Sequence, residues 1–187
     1  MVERESDDPE GAVHPGGGRD PWLRFALLFA ALAIASEVVY YGFALESNLF
    51  RSYLEVLAAI SGVILSHLTE GIVVRGTIVS GDLFSVQIAE GCDAYRICAL
   101  LCSAMLAFPA PPAIKAWGLV LGLLWLNLLN FVRIVGLFFI GGYFHPIFQR
   151  SHEVYFPVFL ICMTVLAWIL WVRRASSVEF ESAPDPA

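Results

Sequence analysis

Long, nearly uncharged apolar runs constrain the fold of this chain more than any other feature. They cover residues 22–45, 92–108, 113–141 and 153–172. An α-helix needs roughly 20 mostly apolar residues to cross the hydrocarbon core of a bilayer. The hydrophobic share of 58% also exceeds the approximate half that is usual for soluble domains. The sequence therefore predicts an all-α integral membrane bundle with about four transmembrane helices.

A fifth apolar segment, 51–70, carries polar residues close to the 3.6-residue period of a helix. This pattern favours a helix that lies in the membrane interface over one that crosses the bilayer. With four spans, the basic residues near the helix ends fall on one side: Arg19, Arg24, Lys115, Arg173 and Arg174. Five spans would place the two chain ends on opposite faces. The positive-inside rule therefore favours four spans and two cytoplasmic termini.

The formal charge of −6 comes from the chain ends. Residues 1–20 are acidic and rich in glycine and proline, and 175–187 hold three acids and no base. We expect both segments to be disordered cytoplasmic tails, with the membrane domain at 21–174. The sequence contains no basic stripe of the kind that binds nucleic acid, so we expect none as a partner. We expect the membrane domain, 21–174, to be embedded in a lipid bilayer.

Two β-branched runs, 72–79 and 83–89, flank Ser80-Gly81-Asp82. Short β-branched runs around such turn residues predict a small β-hairpin. On the four-span topology this hairpin is extracytoplasmic, and it delivers the chain directly to Cys92.

Three polar residues are predicted to lie at one membrane depth. Counting about 1.5 Å per residue from the cytoplasmic ends of three predicted helices places Cys92 at about 25 Å, Arg133 at about 27 Å and His152 at about 31 Å. The hydrocarbon core is roughly 30 Å thick. These side chains should therefore meet at the outer boundary.

Cysteine, histidine and arginine together suit acyl transfer. A cysteine at a helix start gains thiolate character from the helix dipole, and a nearby histidine can move its proton. Arg133 can stabilise an oxyanion, and Asn127 and Asn130 lie on the same stretch of its helix as supporting residues. No cysteine spacing is typical of a metal site, so no metal or cofactor is expected.

Other interpretations stay open at this point. One alternative is that Arg133, Asn127 and Asn130 form a buried polar network whose sole role is to hold the helices together. Another is that His152 is an interfacial residue without a catalytic role. Thiol redox chemistry needs paired cysteines at the outer surface, where only Cys92 is expected. A non-catalytic assembly or transport protein would use Arg133 and Glu37 as a polar relay. Arg96 can pair with Asp93, Glu90 or Glu37, and such exposed pairs contribute little to stability.

Several stretches resemble one known family. They are "VRGTIVSGDLFSVQI", "EGCDAYRICALLCSAMLAFP", "NLLNFVRIVGLFFIGGY" and "RSHEVYFPVFLICMTVLAWILWVRR". Their order and surroundings are similar to the exosortase/archaeosortase family, closest to its exosortase H branch, over about residues 22–174. The resemblance implies a membrane cysteine protease or transpeptidase of the bacterial inner membrane, with its active site on the extracytoplasmic side. Its expected partners are carboxy-terminal sorting signals (an IPTL-type motif, a membrane helix and a basic cluster) and an unknown envelope acceptor.

The resemblance also implies roles for individual residues. Cys92 would be the nucleophile, His152 the base and Arg133 the third catalytic residue, with Asn130, Asn127 and Arg96 in support. Members of that family commonly follow the cysteine with Ser-Gly or Asn-Gly, whereas this chain has Asp93-Ala94. We therefore expect substrate choice and rate, more than the class of reaction, to differ here.

Overall fold

The computed structural model describes residues 20–181, and side chains within 20–177. Its six α-helices are α1 (Pro21–Val39), α2 (Asn48–Ser66), α3 (Tyr95–Ala107), α4 (Pro112–Tyr143), α5 (His145–Arg150) and α6 (Phe156–Glu181). Two π-helical turns, Tyr40–Ala44 and Ser151–Tyr155, follow α1 and precede α6. The predicted helical bundle with a small β element is therefore confirmed as an architecture.

Within residues 20–181, four helical segments are long and apolar enough to cross a membrane: Pro21–Ala44, Asn48–Ser66, Pro112–Tyr143 and His145–Ser177. Three of them match predicted spans. The fourth is α2, for which the sequence favoured an interfacial position. Length and composition of these helices indicate a membrane protein.

The helix predicted over 92–108 is shorter than expected. It begins at Tyr95 and ends at Ala107, so its 13 residues cover about 20 Å, less than the hydrocarbon core. The prediction of a helix start at Cys92 is wrong, because residue 94 adopts a left-handed conformation with φ of 57°. A helix cannot propagate through such a residue.

The predicted hairpin is part of a three-stranded antiparallel sheet. Its strands are β1 (Val73–Arg75), β2 (Ile78–Ser80) and β3 (Ser85–Gln87), in the order β1-β2-β3. The hairpin formed by β2 and β3 is the one predicted around Ser80-Gly81-Asp82. The first β-branched run was predicted as a single strand, but it folds back at Gly76, whose φ is +59°. Glycine adopts this conformation without the steric cost that a β-carbon brings.

Two buried apolar clusters hold these elements together. The first joins α2, the sheet and α4, and contains Leu54, Leu57, Ala58, Leu65, Val79, Val86, Ile88, Cys92, Ile134 and Phe138. The second joins α3, α4 and α6, and contains Ala94, Ile97, Leu101, Met105, Leu126, Leu129 and Leu160. The segment from Cys92 to Ala94 therefore bridges the two clusters.

The chain ends extend past the described residues. Residues 1–19 of the predicted amino-terminal tail lie outside the described part of the chain, as do 182–187 at the other end. Helix α6 runs to Glu181, into the segment predicted as a carboxy-terminal tail.

Candidate functional site

The segment between β3 and α3 is a tight turn over residues 91–94, which we call the Cys92 turn. Gly91 and Ala94 both have positive φ, of 85° and 57°. The backbone N–H of Cys92 donates to the carbonyl oxygen of Ala89 at 3.0 Å. The turn redirects the chain from the sheet into α3 and presents several of its backbone carbonyls to neighbouring helices.

Helix α4 holds the Cys92 turn through two side chains. Arg133 donates from Nη1 to the carbonyl oxygen of Gly91 at 2.8 Å, and Asn130 donates from Nδ2 to that of Cys92 at 2.8 Å. Asn130 is fully buried and Arg133 is 5% exposed. Hydrogen bonds from charged donors contribute about 1.5–3 kcal/mol. Arg133 therefore fixes the backbone next to Cys92.

Two tyrosines that the sequence analysis did not identify, one in the first π-helical turn and one in α2, hold Asp93. Tyr40, in the first π-helical turn, donates its hydroxyl to Oδ2 of Asp93 at 2.6 Å. Tyr53 of α2 donates to the backbone carbonyl of Asp93 at 2.8 Å. The ring of Tyr40 also stacks on Tyr95 at 4.4 Å. Tyr40 is 1% exposed and Tyr53 37% exposed. A buried tyrosine usually finds a partner for its hydroxyl, which accounts for the bond from Tyr40. No sequence pattern pointed to either residue.

The Cys92 side chain is 5% exposed and belongs to the first apolar cluster. The prediction that it gains from the α3 dipole at the helix start is wrong, because it precedes the first helical residue by three positions. Dipole effects fall off within the first turn of a helix.

His152 lies in the second π-helical turn, directly before α6. Its ring is half-buried and stacks on Phe148, and its Nδ1 is buried without a hydrogen-bond partner. Helix α4 contacts this turn. Within the described side chains no hydrogen bond joins His152 to Cys92, whereas Arg133 reaches the Cys92 turn directly.

Of the two asparagines predicted to support the site, one contacts the Cys92 turn and the other does not. Asn130 joins the site, whereas Asn127 donates to Leu123 of its own helix and does not. Arg96 pairs with Glu37 at 3.8 Å and lies over the ring of Tyr41. Of the three ion pairs considered for Arg96, the pair with Glu37 is confirmed. The pairs with Asp93 and Glu90 are not formed among the described residues. Glu37 therefore meets Arg96, and no ion pair links it to Arg133 among the described residues.

A cavity of about 310 Å³ opens beside the Cys92 turn, which we call the Asp93 cavity. Its lining residues are Tyr40, Gly91, Asp93, Ala94, Arg96, Ile97, Leu100, Arg133, Pro157, Leu160 and Ile161. They come from the first π-helical turn, the Cys92 turn, α3, α4 and α6. Nε of Arg133 is buried without a hydrogen-bond partner. Cys92 and His152 are not among the residues that line this cavity.

Among the described residues, no group of three or more His, Cys, Asp or Glu side chains is arranged to hold a metal ion. The four cysteines are all free thiols, and Cys92 alone lies in the turn between sheet and helix.

Comparison with protein-family models, with curated proteins and with solved structures gave no significant match.

Proposed function

We propose that this protein is a membrane-embedded cysteine protease or transpeptidase of the exosortase type. Its substrates on this proposal are exported proteins that end in a short IPTL-type motif, a membrane helix and a basic cluster. The reaction is cleavage near the motif, followed by transfer of the acyl group to an envelope acceptor. The site faces the extracytoplasmic side of the bacterial inner membrane.

The observation that carries the proposal is the fixation of the Cys92 turn by buried polar side chains. Arg133 and Asn130 reach the carbonyls of Gly91 and Cys92 from a helix that is otherwise apolar. Ionisable residues inside membrane helices are costly and tend to be functional. A buried arginine aimed at a cysteine-bearing turn supports nucleophile chemistry more than helix packing alone.

His152 is the proposed base. Its Nδ1 is buried and has no hydrogen-bond partner, so it is free to take the proton of the Cys92 thiol. The two groups are not hydrogen-bonded, and catalytic hydrogen bonds often form only when substrate is bound. On the proposal, substrate binding closes this gap and exposes the buried thiol.

The chemistry then follows in two steps. The Cys92 thiolate attacks the scissile carbonyl, a tetrahedral oxyanion forms, and the leaving amine takes its proton from His152. The buried Nε of Arg133 still has a hydrogen bond to give, which suits an oxyanion or a substrate carbonyl. The acyl-enzyme is then released to an acceptor or to water.

The alternative was a non-catalytic assembly or transport protein with an Arg133–Glu37 relay. The pairing of Glu37 with Arg96 leaves that relay without its central contact. The cysteine-protease proposal uses the contacts that Arg133 does make.

Co-expression with a reporter tests the proposal. The reporter ends in an IPTL-type motif, a membrane helix and a basic cluster, and processing is followed by its change in size. We expect wild type to process it, and Cys92→Ala and His152→Ala to lose processing while remaining membrane-inserted. Cys162→Ala, in α6 with an exposed side chain, is the matched cysteine control. Processing by both site variants at the wild-type rate would rule out the mechanism.

A further inference from the structure

The side chain of Asp93 is a buried carboxylate without a cationic partner. It is 3% exposed, and within the described residues no lysine, arginine or histidine lies within ion-pair distance of it. Burying a carboxylate is costly unless a cation or several hydrogen bonds compensate its charge. Its position therefore needs a physical explanation.

The hydrogen bonds to Asp93 compensate only part of this charge. Oδ2 accepts from Tyr40 at 2.6 Å, and Oδ1 accepts from the backbone N–H of Tyr95 at a long 3.4 Å. An ionised carboxylate offers about four lone-pair positions. At least two positions are therefore free, on a group that lines the Asp93 cavity.

Arg133 also lines the cavity, but it does not neutralise Asp93. It is 5% exposed, donates from Nη1 to the carbonyl oxygen of Gly91, and its Nε is enclosed without a partner. Asp93 therefore offers its free acceptors to a ligand in the cavity, and an ammonium group would satisfy them.

We propose that Asp93 binds the ammonium group of a primary amine, and that this amine is the acceptor of the acyl group held on Cys92. The inference rests on the proposed function for its transfer step, whereas the binding site itself does not depend on catalysis. Asp93 directly follows Cys92, so a ligand on its carboxylate lies close to the nucleophile's backbone. The cavity volume of about 310 Å³ admits a small amine or the end of a larger one.

In the transfer step the bound ammonium first loses one proton to water and becomes a free amine. The amine nitrogen attacks the carbonyl carbon of acyl-Cys92, the C–N bond forms, and the C–S bond breaks as the thiolate leaves. The second nitrogen proton passes to the thiolate through His152. The products are an amide and the Cys92 thiol, and the Asp93 carboxylate is unchanged.

Binding is tested first, without any protease assay. The purified protein in detergent is unfolded by heat in ethylammonium chloride, in tetramethylammonium chloride and in sodium chloride at one ionic strength. A ligand that binds the folded state raises the unfolding temperature. We expect ethylammonium to raise it by several degrees and tetramethylammonium, which has no N–H donor, to act like sodium. Equal effects of the three salts on wild type would overturn the site.

Asp93→Asn keeps the size and one acceptor for Tyr40 but removes the charge. Glu90→Gln is the matched control, because it removes an exposed carboxylate two residues before Cys92. The ethylammonium effect should disappear in Asp93→Asn and persist in Glu90→Gln. If Asp93→Asn does not fold, the comparison of the three salts on wild type still decides.

Transfer is tested with the reporter and added ethylamine. Cleaved reporter is separated by mass spectrometry into the hydrolysed acid and the ethylamide. We expect Asp93→Asn to lower the ratio of amide to acid about tenfold, and Glu90→Gln to leave it unchanged. An unchanged ratio in Asp93→Asn would overturn the acceptor role. Absence of all Cys92-dependent cleavage would instead count against the proposed function, and the thermal test would still report on the binding site.

Discussion

Arg133 and Gly91 are joined by a 2.8 Å hydrogen bond across 42 residues of sequence. The donor is a buried guanidinium in the middle of α4, and the acceptor is a backbone carbonyl in the turn that carries Cys92. Arg133 thus acts on the backbone around Cys92. Arg133 also lines the Asp93 cavity, and its Nε is enclosed without a hydrogen-bond partner.

Replacement of Arg133 by glutamine should therefore affect both stability and processing. Losing a hydrogen bond from a charged donor costs about 1.5–3 kcal/mol. We expect thermal unfolding in detergent to show that loss, and reporter processing to fall at least tenfold. Arg51→Gln is the control, since its side chain is 78% exposed and its pair with Glu55 is on the surface. It should change stability by less than about 0.5 kcal/mol. Equal effects of the two variants would contradict the role given to Arg133.

Tyr40→Phe removes one hydroxyl at a position that is 1% exposed. The variant leaves Oδ2 of Asp93 without its closest donor, which should cost about 1–3 kcal/mol. Tyr41→Phe makes the same chemical change one residue later, where the side chain is half exposed, and we expect almost no loss. Thermal or denaturant unfolding in detergent measures both. A Tyr40→Phe protein as stable as Tyr41→Phe would show that the Tyr40–Asp93 bond contributes nothing to the fold.

Hydropathy predicted most of the helices because long apolar runs report directly on membrane-length segments. For α2 the sequence favoured the interface, whereas its length and composition also fit a membrane span. Its polar residues follow a helical period, and another face, which includes Leu54 and Leu57, belongs to the apolar cluster that joins α2, the sheet and α4. A polar stripe in a sequence does not distinguish a helix at the interface from one packed against protein. The sequence also did not predict the turn at Gly76. The β-branched residues before and after this glycine favoured a single continuous strand over 72–79.

The sequence predicted which residue types form the candidate site better than it predicted which of them contact one another. Helix rise places Cys92 and Arg133 at similar depth, and Arg133 does reach the Cys92 turn. Rise says nothing about direction around a helix, so Asn130 and Asn127 were grouped although only Asn130 faces the turn. Tyr40 and Tyr53 lie 53 and 40 residues before Asp93. Sequence spacing cannot show contacts across such distances.

The close packing of α4 against the loop before β3 gives a further prediction. A β-carbon added at Gly141 would overlap the ring of Phe84, whereas one added at Gly42 meets nothing within 4 Å. Overpacking typically costs about 1–3 kcal/mol. Gly141→Ala should therefore lower the unfolding temperature in detergent, and Gly42→Ala should leave it unchanged or slightly higher. Phe84→Leu combined with Gly141→Ala should restore part of the loss, and no restoration would show that the clash lies elsewhere.

The left-handed backbone at Ala94 predicts different effects of one substitution at two alanines that lie five residues apart, Ala94 and Ala99. A non-glycine residue at positive φ pays roughly 1–2 kcal/mol in steric strain. Ala94→Gly relieves this strain, but it also removes a buried methyl group and adds entropy to the unfolded chain. These effects largely offset one another, so we expect the free energy of unfolding to change by less than about 0.5 kcal/mol. Ala99→Gly makes the same substitution inside α3, where glycine costs about 1 kcal/mol. Denaturant unfolding of both variants in one detergent measures the difference. If Ala94→Gly destabilises as much as Ala99→Gly does, residue 94 is not strained, and the start of α3 at Tyr95 has another cause.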